Sequence, residues 1–230
     1  MAGWFEPDAE KRRIEEPVVR MGDIVQLSGN PDLVYEYRPN IDTAKYPNFS
    51  NAAGMRGPDR PLEKPPHTIR IAGIGDSVMA GDFYPYEKTF LFVLEDLLNE
   101  AASTSPSRYE VLNFAVGGYN IIQEAIAFRE KALPYGVDWA ILGVVINDWE
   151  PPVFFRTHGD DGGEQLRDRY QLESRLRYGT GLNPEDLPWW AHSVAARWLR
   201  SRFYWNQRLK VFRRGFADIA TTARANGIQL

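Results

Sequence analysis

Three short apolar runs, near 69–74, 109–114 and 138–146, alternate with two helix-length amphipathic segments near 87–102 and 121–134. A strand re-entering a sheet in parallel needs a crossover of a dozen residues or more, usually a helix. The alternation therefore predicts βαβ units and a parallel sheet in an α/β domain. The first run, Ile69-Arg70-Ile71-Ala72-Gly73-Ile74, is broken by Gly75. That break sets Ser77 just past the carboxyl end of a buried strand, where open α/β sheets build their crevices. Ser77 is where a nucleophile would sit. A Gly-Asp-Ser turn by itself is ordinary turn and N-cap chemistry. Two later segments add weight, because each sets a candidate oxyanion donor just after an apolar run: Tyr-Glu-Val-Leu-Asn-Phe-Ala-Val-Gly-Gly-Tyr-Asn at 109–120 and Trp-Ala-Ile-Leu-Gly-Val-Val-Ile-Asn-Asp at 139–148.

In order, these three segments resemble the first three sequence blocks of the SGNH hydrolases, the GDSL-like esterase and lipase superfamily, over roughly residues 30–150. The stretch Leu33-Val34-Tyr35-Glu36-Tyr37-Arg38-Pro39-Asn40, with Asn51 and the Gly54-Met55-Arg56-Gly57 turn, is similar to the lead-in of one large bacterial branch of that family. The resemblance implies a flavodoxin-like three-layer α/β/α sandwich with a parallel sheet. It also implies Ser77 as nucleophile, with Gly118 and the Asn147 amide completing an oxyanion hole beside the serine's own backbone N–H. The reaction implied is ester hydrolysis through a seryl ester, on a small-molecule or glycan ester and without a cofactor. The same residues would serve an O-acyltransferase of the superfamily, or persist in a non-catalytic ligand-binding remnant.

The chain departs from the family pattern in two places. Val145 stands where the third block usually has Gly. The family's last block, Asp-x-x-His, supplies the base and its orienting group, and none of the three histidines fits it: Lys64 precedes His67 by three positions, Phe155 precedes His158 and Trp189 precedes His192. The closing stretch reads as a helix capped by Gly227, with Ile228, Gln229 and Leu230 opening a fourth strand, so the sequence is expected to be a fragment cut before the last two strands. Such a fragment, lacking its base, is expected to be nearly inactive.

The other features read as scaffold. A chain of 230 residues with 43% hydrophobic content can bury a single-domain core, and a formal net charge of −4 gives no global pull toward nucleic acid. No apolar run approaches the ~18 residues of a membrane span, and residues 1–20 have no signal-peptide core; a cytoplasmic protein is expected. Residues 1–68 form a Pro-rich lead-in with short strands near 24–27 and 33–37, expected to wrap the main domain at 69–230. Phe90, Leu91, Leu94, Leu97 and Leu98 make one apolar helix face, expected to pack on the sheet. Residues 149–188, rich in Pro and Gly, read as an insertion over the active-site mouth. The basic stretch 197–214 reads as a solvated face, because Trp198, Trp205, Leu209, Phe212, Phe216 and Ile219 form a helical stripe expected to lie on the core. Asp82, Glu87, Asp138, Asp148 and Glu150 lack metal-ligand spacing. Asp76 and Asp148 are expected to brace their loops by accepting backbone N–H bonds.

Overall fold

The computed structural model describes residues 21–44, 46–159, 161–169 and 194–230. A short helix, α1 (Met21–Ile24), leads into β1 (Val25–Leu27), which pairs antiparallel with β2 (Tyr35–Tyr37). Then follow β3 (Thr68–Gly75), α2 (Ser77–Ala80), α3 (Phe90–Ala101), β4 (Arg108–Asn113), α4 (Ile121–Ala127) and β5 (Trp139–Gly143). A hairpin of β6 (Phe154–His158) and β7 (Glu164–Asp168) precedes the long α5 (Val194–Ala225).

The central sheet runs β4-β3-β5, parallel throughout, with Ile71 opposite Val111 on one side and Trp139 on the other. The βαβ reading of the sequence is thus met. Gln229 makes a parallel bridge to the free edge of β5 at Trp139, following a helix end where Ile228 N–H donates to the Ala223 carbonyl at 2.9 Å. Gly227, at φ +68°, supplies the left-handed residue that this helix end requires.

Alternating side chains divide the core between the sheet's faces. Ile71 and Val111 join Leu91 of α3 and the lead-in aromatics Tyr35, Tyr37, Tyr46 and Phe49. Ala72, Ile74, Leu112 and Ala140 join Ile121 and Ala125 of α4 with Ile219 and Ala223 of α5. The lead-in therefore shares a core with the sheet. Arg70, fully buried in β3, is tolerated because its guanidinium pairs with Glu110 at 2.9 Å and donates to the carbonyls of Pro61, Leu62 and Tyr135 at 2.7–2.9 Å.

Four expectations are corrected by the packing. On α3 only Leu91, Leu94 and Leu98 turn inward, while Phe90 and Leu97 are 47% and 57% exposed: five residues spanning positions i to i+8 subtend more arc than one sheet contact covers. The helix expected to reach 134 leaves α geometry after Ala127 for a π turn (Phe128–Ala132) and a 3-10 turn (Leu133–Tyr135), as the missing N–H of Pro134 opens the ladder. The third strand stops at Gly143, because Val145 N–H turns to the Asp148 carboxylate at 2.7 Å. The basic helix meets the core through its C-terminal half: Gly215 lies so close to α4 that a Cβ there would be 2.9 Å from Ile121, and Ile219 is buried. Trp205 and Leu209 are 47% and 40% exposed, since 32 residues span about 48 Å and outrun the sheet, while Phe216, in the docked half, is 43% exposed and stacks on Phe212. The Trp198 side chain lies outside the described residues.

Within the segment read as an insertion, the β6/β7 hairpin leans on the lead-in through Phe154 against Tyr35 (ring centroids 4.9 Å apart) and Arg156 with the Ser28 carbonyl. The remainder, 170–188, lies outside the described residues. Among the described residues no helix is long and apolar enough to cross a membrane.

Candidate active site

Ser77 opens α2 at the carboxyl end of β3, half-buried, with Asp76 as the N-cap. The Asp76 carboxylate, 2% exposed, does three things there. Its Oδ1 accepts Val78 N–H at 2.9 Å, its Oδ2 accepts the Asn147 amide at 2.9 Å, and that same Oδ2 lies 3.4 Å from Ser77 Oγ. Ser77 and Asn147, 70 residues apart in sequence, thus converge on one oxygen. The 3.4 Å separation is longer than an ordinary O–H···O bond, so the hydroxyl is loosely held. Asn147 has two amide hydrogens; Asp76 takes one and fixes the side chain, leaving the other to donate.

Gly118 sits on the loop after β4, which docks on β3 through Val116 N–H to the Gly75 carbonyl at 3.3 Å. The same loop is tied to the Asn147 turn: Ile121 N–H donates to the Asp148 carbonyl at 2.9 Å, and the Asn120 amide to the Glu150 carbonyl at 2.9 Å. Gly118 adopts φ +74°, and a Cβ there would lie 2.7 Å from Val153 and 3.0 Å from the Tyr35 hydroxyl. Among the described residues neither Ser77 N–H nor Gly118 N–H has a hydrogen-bond acceptor. The three residues singled out in the sequence therefore lie on three loops at one end of the sheet. Asp76 joins two of them directly, and Gly118 joins through the loop ties.

Below the Asn147 turn lies a pair of acids of which the sequence reading singled out only Asp148. Asp148 and Glu124 are both fully buried. Asp148 Oδ2 accepts Val145 N–H, whereas Asp148 Oδ1 and both Glu124 oxygens have no donor among the described residues. Two buried carboxylates cannot both ionise at contact, so the pair shares a proton. Burial first, then Asp148 and Asp76, push the Glu124 carboxyl far above its usual range. Burial also raises Asp148, with the Val145 N–H opposing the rise, so both acids of the pair are pushed up and Glu124 the further. The signal in the sequence was a lone acid among Ile121, Ile122, Ala125, Ile126 and Ala127, on a helix opened by the Asn120 and Gln123 capping box.

No family model matches this chain, and no curated protein matches it either. The site's own geometry has to carry the functional reading. Among the described residues no three His, Asp or Glu side chains cluster to hold an ion. Nor is a base at hand in His67, which enters β3 at the end opposite Ser77, about 25 Å away along an eight-residue strand. His158 ends β6, exposed, and His192 lies outside the described residues.

Beyond the three expected residues, the sequence reading missed a tyrosine cluster from the lead-in. Tyr37 accepts Gly117 N–H at 2.7 Å and donates to Asp82, while Tyr35 donates to the Gly117 carbonyl at 3.0 Å. Asp82 is buried with its Oδ2 unpartnered among the described residues, and burial, partly offset by the Tyr37 hydrogen bond and by Arg56, raises it to about 6. The period-two spacing of Tyr35 and Tyr37 was visible as a strand face; their partner across the fold was not.

Proposed function

We propose that this chain carries the nucleophile and oxyanion hole of an SGNH-type ester hydrolase on the flavodoxin-like sandwich that the parallel sheet and its two-sided core support. Ser77 Oγ attacks the ester carbonyl and its proton passes to a base. The oxyanion is held by the N–H groups of Ser77 and Gly118 and by the free Asn147 amide hydrogen. Collapse of this intermediate expels the alcohol, which takes up that proton, and water then hydrolyses the seryl ester. The observation that carries this reading is the meeting of Ser77 Oγ and Asn147 Nδ2 on Asp76 Oδ2, with the Ser77 and Gly118 N–H groups, at the same end of the sheet, without acceptors among the described residues. Aimed donors of this kind are typically the largest catalytic term in acyl transfer.

The base belongs to the family's Asp-x-x-His block, which residues 1–230 do not contain. Added imidazole can therefore stand in for it. A fluorophosphonate probe tests the reading: Ser77 Oγ bonds to phosphorus, fluoride leaves, and the hydroxyl proton passes to imidazole. Peptide mass is expected to show slow labelling at Ser77, accelerated by imidazole and abolished in Ser77→Ala. No modification of Ser77 with or without imidazole would overturn the proposal.

A further inference from the structure

The Gly117-Gly118 peptide is the one whose orientation decides where the Gly118 N–H points. With glycine on both sides, it is also the peptide least able to hold an orientation by itself, since glycine populates positive and negative φ almost equally. The lead-in holds this peptide by its carbonyl, through Tyr35, and the Val116-Gly117 peptide before it by its N–H, through Tyr37. Tyr35 and Tyr37, on the same face of β2, are 0% and 1% exposed. Tyr37 Oη accepts the Gly117 N–H at 2.7 Å, and Tyr35 Oη donates to the Gly117 carbonyl at 3.0 Å. Tyr35 is held in turn, its carbonyl accepting the Tyr119 hydroxyl at 2.6 Å and its ring set edge-on to Tyr119 and Phe154.

We infer that Tyr35 is a positioning residue for the oxyanion hole, fixing the Gly117-Gly118 peptide so that the Gly118 N–H faces the reacting carbonyl oxygen. The inference rests on the hydrolase reading above. In a trans peptide the carbonyl of one residue and the N–H of the next point in opposite directions, and no cis peptide occurs among the described residues. Directing the Gly117 carbonyl at Tyr35 therefore directs the Gly118 N–H away from the lead-in. A flip of this peptide would turn a carbonyl, an acceptor, to where the oxyanion needs a donor. The Tyr35 hydrogen bond also polarises the peptide it holds, making Gly118 N–H a stronger donor through the shared amide.

The test is the fluorophosphonate reaction with imidazole present, on the full chain, comparing wild type, Tyr35→Phe and Tyr46→Phe. Tyr46 is a buried lead-in tyrosine whose hydroxyl bonds Asp23 at 3.2 Å and whose loss controls for general loosening of the lead-in. Tyr35→Phe is expected to lower the maximal labelling rate about tenfold while the half-saturating probe concentration stays unchanged, with Tyr46→Phe at the wild-type rate. In protein with nitrogen-15 in its glycines, the Gly118 amide resonance is expected to move in Tyr35→Phe and stay put in Tyr46→Phe. Equal labelling rates in wild type and Tyr35→Phe, or an unmoved Gly118 resonance, would overturn the role while leaving the hydrolase reading intact. Absence of Ser77 labelling in wild type overturns that reading first and the role with it. Should Tyr35→Phe fail to fold, 3-fluorotyrosine placed at 35 keeps every hydrogen bond with a more acidic donor. A faster labelling rate then supports the role, and an unchanged one overturns it.

Discussion

Replacing Glu124 by Gln isolates the shared proton beneath the Asn147 turn. Glu124 is fully buried, its two oxygens have no donor among the described residues, and it lies against Asp148, whose Oδ2 is already taken by Val145 N–H. In the folded protein the Glu124 carboxyl keeps its proton through neutral pH, held by burial first and by Asp148 and Asp76 next; in the unfolded chain it ionises near 4.5. The folded state thus binds one proton more than the unfolded state. Stability falls as pH rises through this window, by about 1.4 kcal/mol for each pH unit. A Gln at 124 donates to Asp148 Oδ1 without titrating, so its stability lacks this slope. Urea unfolding of both proteins at pH 7, 8 and 9, with m-values matched, is expected to show the wild type losing about 3 kcal/mol relative to Glu124→Gln across the two units. A difference that does not change with pH would refute the shared proton, since Glu124 would then be ionised alike in both states.

Asn147→Ala is expected to lower Ser77 labelling or ester turnover by about 10² to 10³, the loss typical for one oxyanion donor, and an unchanged rate would remove Asn147 from the hole. Asp82 binds its proton up to about 6 when folded against 3.8 as its ordinary value, so stability falls as pH rises from about 4 to 6. The fall is expected to be at most about 3 kcal/mol and to vanish in Asp82→Asn, read from denaturant midpoints across that range. Gly215→Ala pushes a Cβ to 2.9 Å from the Ile121 side chain and carbonyl; a loss of about 1 to 3 kcal/mol, seen as a lower melting temperature, checks the close packing of α4 and α5.

The parallel order of the sheet was legible because periodicity and crossover length are local properties of the chain. That Ser77, Gly118 and Asn147 lie on loops at one end of the sheet was legible because each comes after an apolar run. What escaped was set by partners distant in sequence. Tyr35 and Tyr37 read as half of an alternating strand, and only the fold brings Gly117, 80 residues beyond Tyr37, between their hydroxyls. Glu124 is in the sequence one polar position of an apolar helix, and only the fold closes the Asp148 turn over it. The stripe from Trp205 to Ile219 had the right period yet the wrong extent, because periodicity says which face is apolar and not how far the neighbouring layer reaches. Trp149 stands in for that layer, its ring 5.4 Å from Trp205 and 6.0 Å from Phe212.

The carbonyl cage around Arg70 bears on the order in which the molecule assembles. Its donors reach β4 through Glu110, the proline linker through Pro61 and Leu62, and the turn before β5 through Tyr135. A guanidinium stripped of water with any of these missing would be several kcal/mol uphill, so the centre of β3 cannot dry out piecemeal. Linker, neighbouring strand and turn must arrive together, and one cation makes their docking a single cooperative event. The stretch that looks from the sequence like a stiff connector is in this sense the final tumbler of a lock, and the sheet closes only when it drops.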